Sequence, residues 1–132
     1  MRIAVAADGG IPSLRAHSIA VMKMAKGFYK LGHEVEVLTV ERFLEDRLRR
    51  EVGSLHKFYG ISDRIEITFF KDNLFYFEDL FPISYLTRLL DKVTNRRIRM
   101  MMDPERKMSE YCRDHGFDLC YYRGYGRTAY YN

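Results

Sequence analysis

The first forty residues constrain this chain most: a short apolar run, a loop punctuated by glycine and proline, an amphipathic stretch and a second β-branched run. Residues 2–7 (RIAVAA) have almost no polar interruption, the pattern of a strand covered on both faces. Asp8-Gly9-Gly10-Ile11-Pro12-Ser13 cannot extend that strand, because two glycines and a proline break the backbone pattern. Val21, Met22, Ala25, Phe28 and Tyr29 then recur at three- and four-residue spacing, with Lys23, Lys26 and Lys30 on the opposite face. This predicts a helix over 16–31, closed by Gly32, where a left-handed cap is wanted. Residues 34–40 (EVEVLTV) form the second strand. The result is a βαβ unit with a backbone loop and a helix N-terminus at the carboxyl end of its first strand. Open α/β sheets bind their ligands at that end.

The remaining pattern continues the alternation. Residues 41–52 read as a charged helix, and 54–59 as a short helical turn ended by Gly60. Residues 64–70 (RIEITFF) read as a third strand, 71–82 as an aromatic loop, and 83–101 as a helix. Asp103-Pro104-Glu105 is a strong helix start: an acceptor for free N–H groups, a proline suited to the first position, and an acid at the positive end. That helix runs to His115 and stops at Gly116. Residues 118–122 (DLCYY) are a fourth strand, followed by a second glycine-bearing loop, Arg123-Gly124-Tyr125-Gly126. Residues 128–132 read as the first turn of a helix without a body, so the domain is expected to be truncated. Alternating strands and helices imply a parallel sheet with right-handed crossovers. The expected fold class is therefore α/β, a Rossmann-like doubly wound sheet of about four strands in the order 3-2-1-4. That order would bring the two glycine-bearing loops into one crevice.

With 132 residues, the chain is long enough for one domain and one core. No apolar run approaches the ~20 residues of a membrane span, and no charged n-region or cleavage site opens the chain. A cytoplasmic protein is expected, with peripheral contact at the inner membrane face as a variant. The net charge is +4, but Arg42, Arg47, Arg49 and Arg50 alternate with Glu41, Glu45, Asp46 and Glu51, the pattern of a solvated helix with i,i+4 pairs. An anionic lipid or phosphorylated ligand is the next reading of those arginines. No nucleic-acid-binding motif accompanies the charge, so nucleic acid is not an expected partner. Cys112 and Cys120 lack CxxC spacing and fall at apolar positions, which suits two buried thiols acting as small hydrophobes. His17, His33, His56 and His115 show no ligand spacing, so no metal is expected.

The loop after the first strand offers N–H groups and about half a positive charge from the helix end, suited to a phosphate or a set of carbohydrate hydroxyls. Neither GxGxxG nor GxxxxGK[ST] is present, which argues against dinucleotide and P-loop recognition and so against an oxidoreductase or epimerase. Glu41 follows the second strand roughly thirty residues past the loop, where a dinucleotide site wants an acid at about twenty.

Ala7-Asp8-Gly9-Gly10-Ile11-Pro12-Ser13, Arg15-Ala16-His17-Ser18-Ile19, Val21-Met22-Lys23-Met24-Ala25 and Leu31-Gly32-His33-Glu34-Val35 together resemble the N-terminal domain of glycosyltransferase family 4 (group 1). Asp118-Leu119-Cys120-Tyr121-Tyr122-Arg123-Gly124 with Ala129-Tyr130-Tyr131 is similar to a strand and loop of the same family, while residues 41–103 match only in layout. The resemblance implies the two-domain GT-B architecture, with this chain as the acceptor-side domain and a donor-binding domain beyond it. It implies a retaining transfer of sugar from a nucleotide-sugar donor to an unidentified acceptor, with no metal or other cofactor. Gly9 and Gly10 match the loop that approaches the donor diphosphate. Arg15, His17 and Arg123 match positions near the acceptor or the transferred sugar. The family's pair of glutamates lies in the donor domain, so no catalytic residue is assigned within residues 1–132. The chain alone is expected to be inactive, and to associate with a donor domain or with itself. The rival expectation is a non-catalytic Rossmann-like binding module or a degenerate fragment.

Overall fold

The computed structural model describes residues 1–7, 10–71, 85–86, 89 and 104–123. Four strands are described: β1 (Arg2–Ala7), β2 (Glu34–Val40), β3 (Glu66–Phe70) and β4 (Leu119–Arg123). They form one all-parallel sheet in the order β3-β2-β1-β4. The expected 3-2-1-4 α/β fold is therefore what the described residues adopt. Among the described residues, four helices can be bounded beside the sheet: α1 (Ala16–Lys30), α2 (Phe43–Val52), α3 (Leu55–Tyr59) and α4 (Pro104–Asp114).

The apolar stripe of α1 faces inward. Val21, Met22 and Ala25 are buried against Ile3, Val5, Val35 and Val37, with Phe28 and Tyr29 packed beside them. Leu55 of α3, Val52 of α2, and the connecting residues Ile61 and Ile65 join the same layer. On the opposite face of the sheet, Met108 and Cys112 of α4 pack on Ala4, Ala6, Leu38 and Val40. Helices α1 to α3 thus cover one face and α4 the other. Right-handed crossovers require this when the strand order runs outward from β1 in both directions.

Several boundaries follow local chemistry. Gly32 has φ +86 just past α1, and Gly60 closes α3 in a left-handed conformation, so both predicted stops fall on glycines with positive φ. Ser54 caps α3 by accepting from the Lys57 N–H at 3.4 Å. Pro104 begins α4, where its missing N–H costs nothing. Residues 85, 86 and 89, within the expected 83–101 helix, are helical and exposed. The rest of that helix lies outside the described residues, as do Asp8, Gly9, positions 72–82, Asp103 and everything after Arg123.

One polar knot pins α4 to the sheet. Glu36 is only 4% exposed, and its carboxylate accepts from Thr68 Oγ1 of β3 at 2.6 Å and from Tyr111 Oη of α4 at 2.9 Å. Arg2 Nη2 lies 3.5 Å from the same carboxylate, while its guanidinium stacks 4.4 Å from the Phe117 ring centroid. Burial pushes the Tyr111 phenol above its ordinary range, and the adjacent Glu36 carboxylate adds to that. A buried carboxylate with three partners meets the requirement that buried charge be paired.

Candidate functional site

The sheet order fixes where a site can form. β1 has β2 on one side and β4 on the other, and Ala7 lies in register with Thr39 and Arg123. The chain leaves β1 at this edge, so the loop into α1 begins at the topological switch point of the sheet.

The loop is more enclosed than its composition suggests. Gly10, Ile11, Pro12 and Ser13 are all buried, and exposure returns only at Leu14, Arg15 and Ala16. Tyr59, the last residue of α3, clamps the loop from outside. Its hydroxyl accepts from the Ser13 N–H at 2.6 Å and donates to the Ser13 carbonyl at 2.9 Å. Burial raises the Tyr59 phenol above its ordinary range, opposed by the hydrogen bond with Ser13. Ser18 Oγ, one turn into α1, donates to the Gly10 carbonyl at 3.2 Å. The Arg15 N–H donates to Ser13 Oγ at 3.1 Å. Two of the loop's backbone carbonyls and two N–H groups at its end are thereby committed inside the protein.

Gly10 is needed for space. Its φ lies outside the positive range that favours glycine, but a Cβ there would overlap Cγ and Cδ of Glu45 from α2. Glu45 Oε2 is buried with no hydrogen-bond partner among the described residues. A carboxylate therefore lies against the backbone that was expected to approach a diphosphate. An anion could approach Gly10 closely only if Glu45 moved or a cation accompanied it.

Arg15 is exposed at the N-cap position of α1, with extended φ and ψ and no side-chain cap. His17 is half-buried one residue into the helix. Arg123 is exposed at the end of β4, beside Ala7. These three belong to the same carboxyl edge of the sheet as Gly10, and Gly9 lies outside the described residues.

The arginines of α2 are largely occupied. Arg49 Nη2 bonds Glu41 Oε1 at 2.9 Å and Asp46 Oδ1 at 2.7 Å, and its guanidinium carbon lies 4.3 Å from the Phe69 ring centroid. Arg50 reaches the other Asp46 oxygen at 2.9 Å, and Arg47 pairs with Glu51 at 3.5 Å. The expected helix with i,i+4 pairs is what forms, and Asp46 is its buried hub.

Tyr59 and Glu45 are the site residues that the sequence pattern does not single out. Tyr59 contacts a loop 46 positions earlier in the chain, and Glu45 is one of several acids on a charged helix. Neither spacing nor composition separates them from their neighbours. Among the described residues, no group of three or more His, Cys, Asp or Glu could hold a metal ion, and no helix is long and apolar enough to cross a membrane. Comparison with protein-family models, with curated proteins and with solved structures finds no match to this chain.

Proposed function

We propose that this chain is the acceptor-side domain of a retaining glycosyltransferase that takes its sugar from a nucleotide-sugar donor. On this reading residues 1–132 do not turn over substrate alone. The loop at Gly9 and Gly10 borders the donor phosphate region, and Arg15, His17 and Arg123 line the acceptor side. The observation that carries the reading is the 3-2-1-4 order, with the β1 loop at the switch point and Arg123 one strand away. The likeness of residues 7–35 to glycosyltransferase family 4 supports it from the sequence. Such catalysis needs donor and acceptor held in one closed site, which a single acceptor-side domain does not supply.

A second reading, a non-catalytic Rossmann-like binding module, draws on a different observation. The Gly10–Ser13 backbone is buried under Tyr59, and the Glu45 carboxylate stands at Gly10. Nucleotide release from UDP-glucose and GDP-mannose separates the two. The glycosyltransferase reading expects none from the 132-residue chain and measurable release once a glutamate-bearing donor domain is supplied. Release by the chain alone contradicts its dependence on a donor domain. Silence in both conditions favours the binding module.

A further inference from the structure

The two cysteines are eight residues apart, on different elements that pack together. Cys112 is in the last turn of α4 and Cys120 is in β4, in register with Ala4 on the sheet face that α4 covers. The chain reverses between them through Gly116, which has φ +63. Their sulfurs approach to 2.9 Å while both remain free thiols. The local unit of helix, glycine turn and strand creates this proximity.

We propose that Cys112 and Cys120 form a peroxide-sensitive dithiol, with Cys120 the attacking thiolate and Cys112 the resolving thiol. The assignment of roles follows from placement. Cys120 is exposed and Cys112 is buried, so an oxidant from solvent meets Cys120 first. At 2.9 Å either sulfur can donate to the other, so whichever thiol loses its proton first has the second as an S–H donor to its thiolate. The direction of the two pKa shifts agrees. Cys120 is lowered by the hydrogen bond from Cys112, against the opposing effect of burial. Cys112 is raised by that hydrogen bond first, then by burial, the neighbouring Cys120 charge and the Glu36 carboxylate. An accessible, stabilised thiolate beside a resolving thiol is the arrangement that redox-sensing cysteines share.

The chemistry closes with hydrogen peroxide as oxidant. The Cys120 thiolate attacks one peroxide oxygen: an S–O bond forms, the O–O bond breaks, and the departing hydroxide takes a proton to become water. Cys112 then gives up its proton and attacks the Cys120 sulfenic sulfur. The S–S bond forms, the S–O bond breaks, and the leaving hydroxide takes that proton as a second water. Two thiols have lost two electrons to one peroxide. Closing the sulfurs to the bonded distance of about 2.05 Å asks for less than an ångström of further approach. The product would tie the end of α4 to β4, and a small-molecule dithiol would reverse it.

Intact-mass and peptide mapping of the reduced 132-residue chain, treated with one equivalent of hydrogen peroxide, provide the test. The expected result is a monomer lighter by two hydrogens, with Cys112 and Cys120 in one cross-linked peptide. Cys112→Ala should stop at a sulfenic acid on Cys120 that dimedone traps. Cys120→Ala should slow thiol oxidation at Cys112 by about tenfold or more, since the remaining thiol is buried. The wild-type mapping needs no variant, so a variant that fails to fold leaves the test intact. Two free thiols after treatment, disulfides only between chains, or equal oxidation rates at the two positions would each overturn the proposal.

Discussion

At the scale of single residues, the loop after β1 depends on two side chains brought from distant elements. Glu45 occupies the space a Cβ at Gly10 would need, so Gly10→Ala should be destabilising by about 1 kcal/mol, in the ordinary range for a crowded substitution. Glu45→Ala should relieve most of that. The double variant should show a coupling of roughly 0.5–1 kcal/mol in urea unfolding, and strict additivity would mean that the two positions do not touch. Tyr59 offers a second handle, through pH. Its folded-state pKa is raised, so above about pH 10 the unfolded chain loses the phenolic proton while the folded chain holds it. The unfolded state then binds fewer protons, and stability falls as pH rises from the unfolded pKa through the folded one. Tyr59→Phe should lose about 1–3 kcal/mol at neutral pH, because the Ser13 N–H and carbonyl keep no partner there, and its alkaline decline should be shallower. An unchanged alkaline slope would show that Tyr59 does not contribute to it.

At the scale of elements, similar arginines on one helix have different weights. Arg49 bonds two acids and stacks on Phe69, and its partner Asp46 is buried. Arg47 and Glu51 are both largely exposed. Arg49→Ala should therefore cost about 1–3 kcal/mol, and Arg47→Ala less than about 0.5 kcal/mol, with denaturant midpoints as the measure. Equal effects would mean that the buried hub contributes no more than a solvated pair. The sequence makes the α2 pairing legible, because i,i+4 spacing is local. It leaves the hub unmarked, because Asp46 is buried by contacts outside the helix. The same limit applies to β2. In EVEVLTV the two glutamates share a face by alternation, yet Glu34 is exposed and Glu36 is buried. Thr68 and Tyr111, from β3 and α4, decide that difference, and strand periodicity carries no information about them. The helix ends at Gly32 and Gly60 were legible because a positive φ is a local demand with a preferred residue. The cysteines combine the two cases: each has an apolar position readable from its own element, and Cys112 is buried as expected. Cys120 is exposed and meets Cys112 at 2.9 Å, which only the packing of α4 beside β4 reveals.

At the scale of the whole molecule, the strand order was legible because alternating elements and right-handed crossovers leave few parallel topologies open. That order sets the carboxyl ends of β1 and β4 side by side, the edge to which Gly10, Arg15, His17 and Arg123 belong. The opposite edge of the sheet has a small cleft lined by Arg2, Glu34, Glu36, Arg64 and Glu66, in which Arg2 pairs with Glu34 and Glu36. The two ends therefore compete as places for a nucleotide sugar, and the proposed function requires the first. A decisive test is an amide-resolved NMR titration of the labelled 132-residue chain, with a glutamate-bearing donor domain supplied, using UDP-glucose and, separately, GDP-mannose. Saturable shifts concentrated at Gly10, Ser13, Arg15, His17 and Arg123 are expected for at least one of them. Shifts confined to Arg2, Glu34, Arg64 and Glu66, or no saturable shift with either nucleotide sugar, would contradict the proposed function.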